Sequence, residues 1–316
     1  MTKIPVAVIC GPTASGKTSR AVSLCKRLSG EVVCADSMQI YKNLNIGTAK
    51  PTLEEMQGVP HHLVDFLDPG TSFSVADYVE AAHKAISDIS SRGHLPVICG
   101  GTGLYIDSLT ENIQFQQTVT KTPLRDELNA LAAEKGNRYL LDMLRVFDPE
   151  SADKLHENNL KRIIRAIEVY KTTGVTLSEQ NRLSREEDSP YSVCRIALGF
   201  KDRNALYDRI DRRVDMMLEA GLLYEAREVL SDDSLTTARQ AIGYKELAPY
   251  FSGELELSEC VENLKRATRR YAKRQLTWFK RNPDTAWLYV DELGDRLTAR
   301  AADVIQDFLK GAGNEI

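Results

Sequence analysis

The feature that most constrains the fold is a glycine-rich octapeptide directly after an apolar run near the N-terminus. Residues 4–10 are almost entirely apolar, which predicts a buried strand, and residues 11–18 read Gly-Pro-Thr-Ala-Ser-Gly-Lys-Thr. This is the spacing of a P-loop, whose backbone N–H groups bind phosphate oxygens at the start of a helix. Apolar residues at helical spacing across 21–28 predict that helix, with Gly30 as its expected stop. The sequence therefore predicts a polyphosphate site between a strand and a helix.

The octapeptide gives its own residues distinct tasks. Lys17 adds a positive charge, and the hydroxyl of Thr18 is the expected ligand of a Mg²⁺ ion. The motif does not say which polyphosphate is bound or whether a phosphoryl group is transferred. Because such loops are typical of nucleotide- and ATP-binding proteins, the sequence leaves open whether ATP competes there. The expected diphosphate- or nucleotide-binding residues are Gly11, Pro12, Thr13, Ala14, Ser15, Gly16, Lys17 and Thr18.

Composition bounds the class of protein without deciding it. With 316 residues and 42% hydrophobic content, the chain is long enough for a full core and for two lobes. The net charge of −4 favours neither nucleic acid nor membrane as a partner. The six cysteines form no Cys-x-x-Cys unit and are expected to be reduced thiols. The N-terminal apolar run is too short for a signal sequence or a membrane span, so we expect a cytoplasmic protein.

Strand and helix patterns alternate in the N-terminal third. Apolar runs at 31–36 and 95–100 predict two further strands, and a Ser-x-x-Asp capping box at 74–77 predicts a helix between them. Such alternation is typical of a parallel sheet, which binds ligands at the carboxyl ends of its strands. We therefore expect the P-loop, Asp36 and the Gly-Gly-Thr-Gly turn at 100–103 to meet at one site.

The predicted fold class is α/β: a P-loop NTPase-like parallel sheet core with a helical insertion domain. Residues 1–113 are expected to form the first part of the core, residues 114–190 the insertion, and residues 191–316 the rest of the core with basic C-terminal helices. Further expected helices are 123–135, 139–147 and 160–171, and further expected strands are 191–200 and 287–290.

Basic residues are concentrated near the C-terminus. The segment 265–281 holds eight of them and no acid. On a helix, Arg266, Arg270, Lys273 and Arg274 share one broad face, which favours a polyanion such as a nucleic-acid backbone. The alternative is a solvated helix face whose neighbouring aromatic side chains turn inward.

The P-loop is compatible with two classes of enzyme, a small-molecule kinase and an enzyme that uses Asp36 as a general base, and with one binding function. A small-molecule kinase needs a strand that ends in a carboxylate, whereas the strand at 95–99 ends in Gly-Gly-Thr. Asp36 ends the other strand, where a carboxylate can anchor Mg²⁺ or act as a general base, or can simply cap the following turn. The third alternative is an RNA-binding protein that uses a nucleotide as a switch.

Seven segments together resemble the tRNA dimethylallyltransferase family, the tRNA isopentenyltransferases. The resemblance implies transfer of a dimethylallyl group from dimethylallyl diphosphate to the exocyclic amine of adenosine 37 in tRNA, with release of pyrophosphate. The P-loop would then hold a leaving group. No Cys/His zinc-finger segment precedes Ile316, which favours the bacterial type. The segments are Gly11–Thr18, Asp36–Tyr41, Ile46–Pro51, Gly58–Leu63, Gly100–Tyr105, Arg239–Glu246 and Ala272–Trp278.

The resemblance also implies residue roles. Asp36 would be the base that accepts the amine proton, Thr102 would stabilise the reacting centre, Lys17 would neutralise the diphosphate and Thr18 would bind Mg²⁺. The expected partners are the tRNA anticodon stem-loop and dimethylallyl diphosphate, with no membrane, and the chain is expected to act as a monomer. The implied tRNA-binding residues are Asp36, Ser37, Met38, Gln39, Arg125, Lys161, Arg162, Ile163, Ile164, Arg165, Arg239, Lys245, Lys273, Arg274, Gln275, Trp278 and Lys280.

Two other groups receive a lower rank. Arg209, Arg212 and Arg213 could add charge at the diphosphate, but arginine on a surface helix is the commoner arrangement. The two histidines at 61–62 have no third metal ligand at a suitable spacing, so we interpret them as structural residues. Asn159 departs from the family's acidic residue, which we expect to alter a helix cap and not the chemistry.

Overall fold

The computed structural model describes residues 3–114, 123–184 and 187–311. The chain divides into two compact units, one of Met1–Thr110 with Pro190–Ile316 and one of Glu111–Ser189. The insertion predicted at 114–190 begins and ends close to the bounds of the second unit, and its role in contacting tRNA stays a prediction. Among the described helices, none is both long and apolar enough to cross a membrane.

A six-stranded parallel sheet organises the first unit. Its order is β3-β2-β4-β1-β5-β6, and each neighbouring pair is parallel. The α/β fold class is therefore confirmed. The strands are β1 (Ile4–Cys10), β2 (Gly30–Cys34), β3 (His61–His62), β4 (Leu95–Gly100), β5 (Tyr191–Gly199) and β6 (Ala286–Tyr289).

Helices follow most strands, as expected of βαβ units. Those from α5 to α9 belong to the second unit and the others to the first. In chain order they are α1 (Lys17–Leu28), α2 (Leu53–Met56), α3 (Val75–Ser91), α4 (Gly103–Thr110), α5 (Pro123–Lys135), α6 (Asn137–Phe147), α7 (Pro149–Asp153), α8 (Leu160–Thr173), α9 (Leu177–Leu183), α10 (Arg203–Glu219), α11 (Leu222–Ser231), α12 (Ala248–Phe251), α13 (Leu257–Phe279), α14 (Val290–Leu293) and α15 (Leu297–Gly311).

Apolar helix faces cover both sides of the sheet. Ile9 of β1 belongs to the cluster that contains Leu24 of α1 and Ile305 of α15. Val8, its neighbour, belongs to the cluster on the opposite side, with Ile86 of α3. Successive residues of a strand point to opposite faces, so a strand covered on both sides is apolar throughout. This is why the central strands could be predicted from apolar runs alone.

The end of α1 differs in detail from the prediction. Gly30 follows the helix, but the residue with the left-handed conformation is Ser29, at φ 47°. Gly30 already belongs to β2, where an added Cβ would lie 2.9 Å from the carbonyl oxygen of Leu95. The glycine is therefore required by the close approach of β4 and not by the helix stop.

The second unit has a helical core of its own. Leu128 of α5, Leu140 and Leu144 of α6, and Ile163 and Ile167 of α8 pack together in it. The predicted helix at 123–135 coincides with α5, and those at 139–147 and 160–171 lie within α6 and α8. The short helices α7 and α9 were not predicted, because five to seven residues give too little periodicity.

Candidate active site

The P-loop joins β1 to α1 in a path that only glycine permits at two positions. Gly11 has φ 140°, and an added Cβ would lie 2.6 Å from the carbonyl oxygen of Leu198 on β5. Gly16 precedes α1 in the left-handed conformation, at φ 82°. The loop therefore presents backbone N–H groups at a helix N-terminus, which is the arrangement that binds phosphate.

Lys17 lies at the start of α1 within this loop. Its Nζ donates a hydrogen bond to the carbonyl oxygen of Pro12 at 2.7 Å. The pKa of Lys17 is lowered to about 8, mainly by burial and also by the nearby charge of Arg213, while Asp36 opposes the shift. A bound anion would favour the protonated ammonium of Lys17, whose positive charge would neutralise part of the negative charge of a polyphosphate.

Asp36 follows β2 and begins a turn. Its Oδ1 accepts hydrogen bonds from Met38 N at 2.9 Å and from Gln39 N at 3.4 Å, so the carboxylate does cap the following turn. Its Oδ2 makes no hydrogen bond within the described ranges. Capping through one oxygen leaves the other available as an acceptor, and the base role stays a prediction.

Thr102 connects this turn to the end of β4. Its Oγ1 accepts from Ser37 N at 3.1 Å, and its backbone N–H donates to Ala35 O at 3.1 Å. A Cβ on Gly100 would lie 2.1 Å from Ala35 O, so this crossing needs a glycine. The carboxyl ends of β1, β2 and β4 thus carry Lys17, Asp36 and Thr102, the three residues predicted to be catalytic.

The segment after Asp36 is fixed by internal hydrogen bonds. Gln39 Nε2 donates to Thr48 O and Ala49 O at 3.1 and 3.0 Å. The amide of Gln39, a residue predicted to bind tRNA, therefore holds its own loop. Glu225 holds the same loop from α11, since its carboxylate accepts from the backbone N–H groups of residues 45, 46 and 47 and from the hydroxyl of Tyr244.

Two arginines of α10 lie near the P-loop, although one of them, Arg209, is exposed as the sequence favoured. Arg209 Nε donates to Ala14 O at 2.9 Å. Arg213 is half-buried, and burial lowers its pKa while the charge of Asp36 opposes that shift. Arg212 is exposed, and its Nε donates to the helix carbonyl of Asp208. The sequence named Arg209 and Arg213 only as weaker candidates, because no motif links α10 to the P-loop.

The outer face of α13 is defined by Arg266, Arg270, Lys273 and Arg274, all of them exposed. The structure gives these four side chains no ion pair within the described part of the chain. Other bases of the run are neutralised by α10, because Lys265 pairs with Asp215 and Arg269 with Asp211. The predicted stripe is therefore narrower than the sequence suggested, and its four unpaired charges are available to a polyanion.

The inner face of α13 is defined by Tyr271, Gln275 and Trp278, which contact the first unit's own backbone and side chains. Gln275 is buried and bridges the P-loop to the turn at 100–103. Trp278 donates from its indole nitrogen to Asp107 Oδ2 at 2.6 Å. Lys280 caps the helix and is exposed. Of the residues predicted to bind tRNA on α13, Gln275 and Trp278 thus have internal partners.

The second unit corrects one part of the predicted tRNA set. Lys161 and Arg162 are exposed at the start of α8, whereas Ile163 and Ile164 are 0% and 3% exposed in the helical core. Their side chains cannot reach RNA while the helix stays packed, because adjacent helix positions turn from solvent to core.

Two arginines of the second unit are engaged by one carboxylate. Arg125 and Arg165 both pair with the buried carboxylate of Glu168. Asn159 occupies the N-cap position of α8 without a capping bond, and its Oδ1 accepts from His156 N.

The remaining predicted contacts lie near α11 and α12. Arg239 forms an ion pair with Asp233, and Lys245 lies 3.9 Å from Glu246. Both line one surface cavity with Gln240. Within the described residues neither side chain contacts the P-loop, and their role toward tRNA stays a prediction.

Sequence comparison shows the family. The profile described as IPP transferase matches residues 39–282. A tRNA dimethylallyltransferase of Acetivibrio thermocellus is 49% identical over 289 residues, which cover 91% of this chain and 92% of that protein. The chain belongs to the tRNA dimethylallyltransferase family. The resemblance inferred from the seven segments is therefore confirmed.

The likeness to the tRNA dimethylallyltransferase family extends along the whole chain. The family member of Shouchella clausii is 44% identical over 315 residues, 99% of each protein. The solved tRNA isopentenylpyrophosphate transferase of Bacillus halodurans superposes with a TM-score of 0.73 at 42% identity, with 98% of each chain covered. A eukaryotic dimethylallyltransferase acting on tRNA gives a TM-score of 0.82 at 27% identity, over 99% of this chain and 81% of that one.

The donor set at the P-loop is compatible with the Mg²⁺ expected from the sequence, and this cofactor stays a prediction. No cluster of three or more His, Cys, Asp or Glu side chains that could hold a metal occurs in the described residues. Magnesium bound with a polyphosphate needs fewer protein ligands, since the phosphates and water supply most of its oxygens. The hydroxyl of Thr18, in the first turn of α1, is a hard oxygen of the required kind.

The histidine pair of β3 has structural partners. His61 Nδ1 contacts the carbonyl oxygen of Val59 at 2.8 Å, and His62 Nε2 contacts Glu31 Oε2 at 2.7 Å. Glu31 is buried in β2 and also pairs with Arg92, whose hydrogen bonds lower the pKa of Glu31 to about 2. These contacts favour the structural interpretation of both histidines.

Proposed function

We propose that this chain transfers a dimethylallyl group from dimethylallyl diphosphate to the exocyclic amine of adenosine 37 in tRNA and releases pyrophosphate. The observation that carries the proposal is the placement of Asp36 and Thr102 beside a P-loop whose neighbouring strand, β4, ends without a carboxylate. A kinase would need an acid at that strand end, whereas an alkyl transfer needs a base near the leaving group.

The donor half of the reaction uses the P-loop. The bond between the allylic carbon and the diphosphate oxygen breaks as negative charge builds on the diphosphate. Backbone N–H groups of the loop, the ammonium of Lys17 and the guanidinium groups of Arg209 and Arg213 would stabilise that charge. A Mg²⁺ ion held by Thr18 would supply further charge neutralisation when bound.

The acceptor half of the reaction uses the turn after β2. The exocyclic nitrogen of adenine forms the new bond to the allylic carbon, and its proton passes to the free oxygen of Asp36. The amine is a weak nucleophile because its lone pair is delocalised, so a positioned carboxylate assists the attack. Thr102 would hold the reacting groups by hydrogen bonding next to that carboxylate.

The RNA partner we propose is the tRNA anticodon stem-loop. Its adenine would leave the base stack to reach the site, and its backbone would lie on the outer face of α13 and on Lys161 and Arg162 of α8. We also propose the cytoplasm as the place of reaction, in keeping with six free buried thiols. Action as a monomer is likewise proposed.

One experiment tests the reaction. The purified chain is incubated with Mg²⁺, dimethylallyl diphosphate and an anticodon stem-loop RNA, and the nucleosides are analysed by mass spectrometry. A matched RNA with guanosine at position 37 is the control. We expect one five-carbon unit on the target adenosine and none on the control. Absence of that unit with an intact donor, or ATP turnover without RNA, would overturn the proposal.

A further inference from the structure

One side chain of α13 bridges the two segments that frame the diphosphate site. Gln275 is 5% exposed. Its Oε1 accepts from Thr13 N at 2.8 Å, and its Nε2 donates to Gly101 O at 3.0 Å. Thr13 belongs to the P-loop, and Gly101 belongs to the turn that carries Thr102. A single amide therefore sets the distance between these two segments.

The neighbours of Gln275 leave it little freedom to move. A Cβ on Gly101 would lie 2.3 Å from Gln275 Nε2, so the amide occupies the space above that glycine. One helical turn earlier, the hydroxyl of Tyr271 interacts with the side chains of Thr102 and Gln275. One turn later, the indole of Trp278 is bonded to Asp107 and fills the space beside Gly103. The inner face of α13 thus holds the amide in one orientation.

The bridge requires both a donor and an acceptor on the same side chain. An aliphatic replacement would leave the Thr13 N–H and the Gly101 carbonyl without this partner inside the protein. An ionised carboxylate could accept from Thr13 N but could not donate to Gly101 O. An amide meets both needs at any ordinary pH.

We propose that Gln275 is a positioning residue for the donor diphosphate and not a contact of tRNA. It fixes the P-loop against the turn at 100–103 and so sets the width of the phosphate site. The inference rests on the proposed function, in which the P-loop holds the diphosphate of the donor. On the same helix, the RNA-binding task belongs to the exposed Lys273 and Arg274.

Two binding measurements separate these tasks. The probes are inorganic pyrophosphate with Mg²⁺, measured by calorimetry, and a fluorescent anticodon stem-loop RNA. We expect Gln275→Met to weaken pyrophosphate binding about tenfold and to leave RNA affinity unchanged. Lys273→Gln should give the reverse pattern. In turnover assays, Gln275→Met should raise KM for the donor and leave KM for tRNA unchanged.

Thr277→Ala is the matched control on α13. Within the described part of the chain, its exposed hydroxyl donates only to the helix carbonyl of Lys273, at 3.0 Å. We expect this variant to bind both probes as the wild-type chain does, and its thermal melt gives the reference for the folding of the Gln275 variants.

Gln275→Glu adds a readout that a merely structural role would not produce. A protonated carboxyl group can donate to Gly101 O and accept from Thr13 N, as the amide does, whereas the ionised form cannot. Burial at this position raises the pKa of a glutamate carboxyl group above its usual value of about 4.3, so the ratio of the variant's pyrophosphate Kd to that of the wild type should fall as the pH is lowered from about 8 to about 5. Using the ratio removes the effect of pyrophosphate's own ionisation.

The outcomes distinguish the inference from the proposed function. If Gln275→Met weakens RNA binding and leaves pyrophosphate binding intact, Gln275 contacts RNA and the inference is wrong. If Gln275→Met does not fold, Gln275→Glu decides, and a pH-independent Kd ratio overturns the inference. If the wild-type chain itself does not bind pyrophosphate, the P-loop role in the proposed function fails instead.

Discussion

The turn after β2 and the outer face of α13 hold their polar groups in opposite ways. In the turn, the carboxylate of Asp36 and the amide of Gln39 have assigned partners, and the hydroxyl of Thr102, from the turn after β4, accepts from Ser37 N. On the outer face, the four basic side chains are exposed and, within the described residues, unpaired. Fixed groups suit chemistry that depends on fractions of an ångström, whereas free charges suit a long polyanion. We therefore expect the effects of substitutions in the two regions to differ in magnitude, in salt dependence and in additivity.

The largest effect is expected at Asp36. Asp36→Asn keeps an oxygen that can accept from Met38 N, so the turn should persist, but it removes the base. In single-turnover assays we expect the rate to fall about 10²- to 10⁴-fold. Binding assays should show nearly unchanged affinity for RNA and for pyrophosphate. Asp68→Asn, an exposed acid paired with Lys42, is the control. Unchanged turnover in Asp36→Asn would reduce Asp36 to a capping residue.

The second effect tests how firmly the loop beside that turn is held. Glu225→Ala leaves the backbone N–H groups of residues 45–47 and the hydroxyl of Tyr244 without their carboxylate. We expect the free energy of unfolding to fall by about 2–4 kcal/mol in urea denaturation. Glu228→Ala, exposed on the same helix, should change it by less than about 0.5 kcal/mol. A loss at Glu225 no larger than at Glu228 would mean that the loop is held by other contacts.

These two sites show what sequence could and could not supply. The P-loop, Asp36 and Thr102 follow buried strands, and apolar runs with a glycine motif identify such strand ends. Glu225 is one acid on an amphipathic helix, and nothing in its local sequence shows that it faces three backbone N–H groups. Its role arises only from the packing of α11 against a distant loop.

The charge of α13 also depends on long-range contacts that its local sequence does not show. The run at 265–281 contains no acid, so the sequence predicted a continuous basic stripe. Asp211 and Asp215 of α10 neutralise two of its members across a long sequence separation. Helical spacing did predict the four residues of the outer face, because that inference is local.

The third prediction concerns that outer face. Reversing the charges of Lys273 and Arg274 should weaken RNA affinity about thirtyfold near physiological salt and make the slope of log K against log salt less steep by about 2. Pyrophosphate affinity should not change, since neither side chain contacts the P-loop within the described residues. Reversal of Arg300 and Lys310, exposed on α15, is the matched control. An unaltered salt slope in the α13 variant would remove this face from the RNA path.

The smallest expected effect is a pH dependence of pyrophosphate affinity that arises from Lys17. Like the polar groups near the turn after β2, this side chain is held by an internal hydrogen bond. Burial lowers its pKa to about 8, so in the free protein the ammonium loses its proton as the pH rises through that value. Diphosphate favours the charged form, and binding above pH 8 must therefore take up a proton. Pyrophosphate affinity should fall about fourfold at a pH half a unit above that pKa, relative to Lys17→Arg, which stays charged. The pH dependence of folding has the opposite sign: the unfolded chain binds this proton more tightly, so the destabilisation from burying the ammonium of Lys17 is relieved as the pH rises from 8 towards 10.5. If pyrophosphate binding has the same pH dependence in the wild type and in Lys17→Arg, the ammonium of Lys17 keeps its charge in the free site. That result would contradict the assignment of Lys17 as a partly desolvated cation.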